Sequence, residues 1–286
     1  MIIYRYDGSL DGLLCCVFEA YARKEAPADI VAGEAVQLAL DVEVRDIATD
    51  PGRAGRVQRG ILARIGPEAF ACVQRAALSA DPGAASTALA YIRLGFEVGP
   101  RVDQRLADAP VHAMCRILRG VDTEAERYKQ FLRFAELQGG VFFAEFEPEH
   151  DVLVLVMPHF TDRFGQQPFI LHDRTRGLAG VWDMRAWTLL SSETMRLPKH
   201  AVGEAHYQAL WRTFYRSITI EQRVNPALRR QHMPKKFWRY MVEMLPEAAA
   251  PPPGFEPALA SIAACAHEPP PPYSPRGGCV EPPQSD

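Results

Sequence analysis

Two short segments carry the residue types that move protons. His172-Asp173-Arg174-Thr175-Arg176-Gly177 sets an imidazole, a carboxylate and two guanidinium groups side by side, and His159-Phe160-Thr161-Asp162-Arg163 repeats the mixture 11 to 13 positions earlier. A histidine brought against an aspartate can activate water or serve as general acid and base on a sugar or a phosphate. His159, Asp162, His172 and Asp173 are therefore the candidate catalytic residues. The same composition also makes an ordinary turn, because Asp and Gly favour turn positions, and that simpler reading is the stronger of the two. The chain contains no Gly-x-Ser-x-Gly elbow, no phosphate-loop lysine motif and no His-Glu-x-x-His, so conventional hydrolase or triphosphatase chemistry lacks a signature.

A second kind of chemistry is suggested by segregated charge. Between Arg196 and Arg239 ten Lys or Arg stand against two acids, Glu204 and Glu221, giving this block +8 in a chain of net charge −3. Tyr207, Trp211, Phe214, Tyr215, Phe237 and Trp238 lie among the cations. Cations that follow a phosphate backbone, interleaved with flat rings on which bases stack, are what polynucleotide binding uses. The candidate nucleic-acid-binding residues are Arg212, Arg216, Arg223, Arg229, Arg230, Lys235, Lys236 and Arg239. Arg212, Arg216 and Arg223 fall on one helical stripe, and Tyr207, Leu210, Phe214 and Ile218 lie opposite, so the apolar side is expected to pack on a sheet while the arginines face outward. Pro234 at a helix start would aim Lys235, Lys236 and free backbone N–H groups at a phosphate. A solvated helix face, or pairing of these cations with the acidic tail, is the competing explanation.

The six cysteines (Cys15, Cys16, Cys72, Cys115, Cys265, Cys279) form no Cys-x-x-Cys pair, so they read as reduced thiols, and neither a metal nor another cofactor is called for. No apolar run approaches the length of a membrane span and the N-terminus lacks the pattern of a signal peptide, which makes the cytoplasm the default location.

The elements that must position these groups follow from periodicity. Ile2 to Tyr6 reads as a strand, with further short strands near Ile30-Val31 and Val42 to Ile47. Helices are expected from Ser9 to Tyr21, after Asp50-Pro51, over Pro67 to Ser79, over Ala84 to Phe96, into Phe131, and over Asp151 to Phe164. Hairpins are expected around Gly139-Gly140 and around Asp173 to Gly177, with Trp187 to Ser191 a further strand. The sum is α+β: a mainly helical part over 1–120, then an antiparallel sheet with packed helices and the basic block over 121–245. From 246 to 286 the chain holds 12 of its 24 prolines and a net charge of −4, a composition expected to be a disordered tail, usable as a linker or as a ligand for a partner domain.

Several stretches carry a likeness beyond composition. They are Tyr6-Asp7-Gly8-Ser9-Leu10-Asp11-Gly12-Leu13, Val17-Phe18-Glu19-Ala20-Tyr21, Phe131-Leu132-Arg133-Phe134, His159 to Phe164 and Ile170-Leu171-His172-Asp173. Trp211 to Arg216 continues the series through Asn225-Pro226 to Met233-Pro234-Lys235-Lys236-Phe237-Trp238. In this order the chain resembles a bacterial family of DNA-repair or DNA-metabolism proteins whose own activity is unassigned. The resemblance implies company with a radical-SAM DNA modification or repair protein. Some members carry a fused uracil-DNA glycosylase domain; here only the proline-rich segment follows Trp238, so a glycosylase-like protein would be a separate partner. The expectation is a DNA-binding accessory factor, with the basic block holding the nucleic acid beside the His159 and His172 segments. The alternatives are a nuclease or glycosylase-like enzyme using those histidines and aspartates, and a protein-docking module without DNA affinity.

Overall fold

A computed structural model describes residues 1–33, 42–193, 195 and 197–245. The expectations for the proline-rich tail, for Cys265 and Cys279 and for Arg196 lie outside these residues. The chain begins with β1 (Ile2–Tyr6), flanked on both sides by parallel partners, β2 (Asp29–Ala32) and β3 (Glu43–Asp46). Parallel neighbours need a crossover, and α1 (Leu10–Ala22) provides it between β1 and β2. Its start is fixed by Ser9, whose Oγ accepts from the Gly12 amide at 2.9 Å. Gly12 has no room for a side chain, since a Cβ there would lie 2.3 Å from the Asp7 carboxylate. Three helices follow, α2 (Pro51–Arg64), α3 (Pro67–Ala77) and α4 (Ala84–Val98). Tyr4, Leu13, Leu14, Ile61 and Ile92 are buried together between helices and sheet.

α5 (Ala109–Phe131) belongs to two cores. Met114 and Ile117 complete the first, while Val121, Ala125 and Tyr128 open a second with Phe146, Leu153, Met157 and Phe169. The expected division at residue 120 falls inside this helix, and residues 1–245 make one compact unit. The second sheet has the order β4 (Ala135–Leu137), β5 (Val141–Phe146), β6 (Phe169–Asp173), β7 (Leu178–Trp182), β8 (Trp187–Ser191). It is mixed where an antiparallel sheet was expected: β5 and β6 run parallel because α6 (Leu153–Phe164) crosses between them. α6 lies on one face of this sheet, with Phe164 and Phe169 ring centroids 5.2 Å apart. Gly180 on β7 allows Met157 to approach so closely that a Cβ would meet its Sδ at 2.5 Å.

The C-terminal part departs most from expectation. α7 (Glu204–Ser217) ends before the β-branched run Ile218-Thr219-Ile220, which disfavours helix. The stripe of arginines is therefore cut, and Arg223 sits in a separate 3-10 turn, Glu221–Arg223. α8 (Pro226–His232) is capped by the Asn225 side chain, and 3-10 turns over Lys235–Tyr240 and Val242–Met244 close the described chain. The supposed apolar side of α7 does not pack on the sheet: Tyr207 is 62% exposed and Phe214 51%.

Candidate functional site

The four candidate catalytic residues do not converge. Alternation along β6 puts Phe169, Leu171 and Asp173 on the buried side and Ile170 and His172 on the other. α6 covers the Phe169 side, so His172 faces away from it. His159 and Asp162 stand exposed on α6 itself. His172 Nε2 lies 3.0 Å from Ser192 Oγ, and burial holds its pKa below the ordinary value, with Glu145 opposing that shift. Asp173 is fully buried. Its carboxylate accepts from the Thr175 amide at 2.9 Å, the Arg176 amide at 3.2 Å and Arg176 Nη1 at 3.1 Å, which is how an aspartate holds a turn together. His172 thus lies on the face of the sheet opposite α6, and the Asp173 carboxylate is engaged in its own turn.

The cationic candidates separate into two groups. Lys236 Nζ donates to buried Glu124 Oε1 at 2.6 Å and lies 3.6 Å from Glu149, so its charge is paired with carboxylates although the side chain is 44% exposed. Arg239 pairs with Glu147. Arg212 turns inward, its Nε donating to the Val242 carbonyl at 3.1 Å, where an outward arginine was expected. Arg229 stacks over the Trp238 ring at 5.2 Å. Arg216, Arg223, Arg229, Arg230 and Lys235 are exposed. Of these, Arg216, Arg223 and Arg229 line one hollow of about 580 Å³ with Tyr215 and His232, in which Glu221 is the lone carboxylate among the lining residues.

A larger cleft, about 980 Å³, opens at the β4 end of the sheet. Its walls are set by backbone pairing. Leu137 bridges to His200, Gln138 N donates to the Lys199 carbonyl at 2.9 Å, and the Glu204 carboxylate accepts from the Glu136 amide at 2.9 Å. These bonds fix the first turn of α7 against β4. Arg133, Arg163, Tyr207 and Trp211 line the cleft with Glu136 and Glu145. The Arg133 guanidinium is held by Glu243 at 2.7 Å and lies 5.5 Å from the Trp211 ring centroid. Reading for proton-transfer groups missed Arg133, Arg163 and their cleft. The signal was present, because both arginines lie inside the stretches Phe131 to Phe134 and His159 to Phe164. α7 lines both features, Tyr207 and Trp211 at the cleft and Tyr215 and Arg216 at the smaller hollow.

In α1, Cys15 Sγ exchanges contacts with the Asp50 backbone at 3.2 and 3.3 Å. Burial pushes the Cys16 thiol up to about 12, which keeps it an inert core group. Among the described residues no helix is long and apolar enough to cross a membrane. No curated protein matches the sequence. Residues 82–243, more than half of the chain, match the family described as a domain of unknown function, DUF4130, and the protein belongs to that family.

Proposed function

We propose that the protein is a nucleic-acid-binding accessory factor of DNA metabolism, acting beside a separate radical-SAM or uracil-DNA glycosylase-like partner. One observation carries this reading: α7 runs between a cleft containing Arg133 and Arg163 and a hollow containing Arg216, Arg223 and Arg229, with solvent-exposed Tyr207, Trp211 and Phe214 along the way. A helix of this length spans about 20 Å, enough for several nucleotides. Arg163 at the cleft and Arg216, Arg223 and Arg229 at the hollow can follow a phosphate backbone while the rings offer stacking surfaces that tolerate any base. The partners are supported by the sequence resemblance alone.

The test is binding of the full chain to single-stranded, duplex and uracil-containing DNA over a salt series. Affinity is expected to fall linearly on a log–log plot, with a slope near −0.7 to −0.9 per phosphate contact. The exposed apolar side chains Ile218, Val224 and Leu228 around the same surface favour a second reading, a protein-docking face. Binding that ignores salt, or no binding at low salt, would select it.

A further inference from the structure

α2 carries a second cationic surface, remote in sequence from the basic block. Arg53, Arg56, Arg59 and Arg64 lie within this helix and no carboxylate does. Ala54, Val57 and Ile61 take its buried side. At about 100° per residue, Gly52, Arg56, Arg59 and Ala63 then form a stripe along the opposite side. Arg53 and Arg64 flank that stripe, 5.4 Å from the Phe18 ring centroid and 5.1 Å from that of Phe96, and Arg56 also lies 5.4 Å from Phe18. All four arginines are exposed.

A solvated helix ordinarily sets acids three or four residues from such cations. Here the acids nearby are engaged elsewhere or stand apart. Asp50 accepts from the Arg53 amide at 2.9 Å as the helix cap, Glu19 is shared by Arg23 and Arg53, and Glu97 stands exposed at the end of α4. Among the described residues Arg56 and Arg59 have no ion pair. The helix also contains Gly55 and Gly60, each costing about 0.5–1 kcal/mol relative to alanine in a helix interior. The fold does not demand them. Neither has a positive φ, a Cβ at Gly60 would make ordinary contact with the Phe96 ring at 3.7 Å, and one at Gly55 would meet only the far end of the Arg59 side chain, at 3.3 Å. Missing side chains beside a row of unpaired guanidinium groups let another backbone come close to the helix.

We infer that the outward face of α2 binds the sugar–phosphate backbone of duplex nucleic acid. This rests on the partner class proposed above and not on the α7 surface. Arg53 to Arg64 spans about 16 Å of helix, over which a duplex strand presents about five phosphates at 3.4 Å of axis each. Guanidinium groups laid on rings keep their N–H edges free for phosphate oxygens. The same stacking covers Phe18 and Phe96, so this face offers bases no platform of the kind single strands use, unlike the exposed rings of α7. Of the large apolar side chains of α2 only Leu62 is exposed, too little for a helix that lies in a membrane surface.

Binding of the full chain to duplex and single-stranded DNA of one length over a salt series tests the inference, beside vesicles of anionic phospholipid and polyglutamate. The double variant Arg56→Ala, Arg59→Ala is expected to lower duplex affinity about tenfold at low salt, with a slope shallower by about two units. Its single-strand affinity and unfolding midpoint are expected to stay unchanged. Gly55→Ala is expected to raise the unfolding midpoint and yet weaken duplex binding about threefold. A double variant that binds duplex as the native chain does, or a Gly55→Ala chain that gains stability at no loss of duplex affinity, overturns the inference and leaves the α7 reading intact. Capture of vesicles or polyglutamate that the double variant loses while keeping its duplex affinity overturns it too. Duplex binding lost in the double variant but kept when Arg216, Arg223 and Arg229 are alanine upholds the inference and overturns α7 and α8 as the nucleic-acid surface.

Discussion

The β6–β7 turn and the α7–α8 segment are built from the same ingredients, arginines near a carboxylate, and they end in opposite states. In the turn, Asp173 and Arg176 are three residues apart and close on each other, with the carboxylate out of solvent. In the α7–α8 segment, Glu221 is the lone acid between Arg212 and Arg230, and Arg223 and Arg230 remain exposed. A cation with a carboxylate at turn spacing becomes part of the fold. One without a local partner either reaches a distant acid, as Lys236 does, or stays available to a ligand.

The largest expected effect breaks the turn. Asp173→Ala removes the acceptor for two amides and one guanidinium and leaves them unsatisfied, at a cost of about 3–5 kcal/mol in unfolding free energy measured by urea denaturation. The protein that remains folded should keep its affinity for DNA. A loss below about 1 kcal/mol would mean that Asp173 is not structural and would reopen a catalytic role.

Replacing Arg216, Arg223 and Arg229 together by alanine does the reverse. Affinity for DNA is expected to drop about a hundredfold at low salt, with the salt slope shallower by roughly two to three units. The unfolding free energy should fall by no more than about 1 kcal/mol, the part expected from loss of the Arg229–Trp238 stacking. Equal losses of stability and affinity would erase the distinction between the two regions.

Lys236 sharpens the comparison, because it lies in the basic block and behaves as the turn does. Lys236→Ala leaves the buried Glu124 carboxylate with the His150 amide but without its ion pair, at a cost of about 1–3 kcal/mol. The salt slope should be unchanged. Arg230→Ala is expected to show the opposite pattern, no change in stability and a slope shallower by about one unit.

These contrasts also mark what the sequence discloses. Local signals were readable: the helix starts at Ser9 and after Asp50-Pro51, the paired glycines before β5, and the strand composition around the Asp173 turn. The parallel β5–β6 pair is readable in principle, since a strand, a helix and a strand in succession imply a crossover, but the paired glycines and the Asp173 turn each signal only their own hairpin. The partners of the cations were not readable. Glu124 lies 112 positions from Lys236 and Glu147 lies 92 from Arg239, and only the tertiary fold brings them together. The cleft shares this property, being assembled from α5, β4, α6 and α7, and it displaced the histidine segments as the candidate site because strand alternation sends His172 and α6 to opposite faces.

The smallest expected effect concerns His172. Burial lowers its pKa from the ordinary 6.5, Glu145 partly offsets this, and Arg174 adds to it. The unfolded chain therefore takes up this proton more readily than the folded one. The contribution is absent at pH well above 6.5 and destabilises progressively as pH falls through that value toward the folded pKa. His172→Gln should flatten stability against pH in this window. Glu145→Gln, which removes the opposing carboxylate, should push the His172 titration followed by NMR to lower pH. Asp162→Asn should leave it where it is, because Asp162 stands exposed on α6 and His172 faces the other side of the sheet. A His172 titration that follows Asp162 would place the two segments within electrostatic reach and favour the enzyme reading.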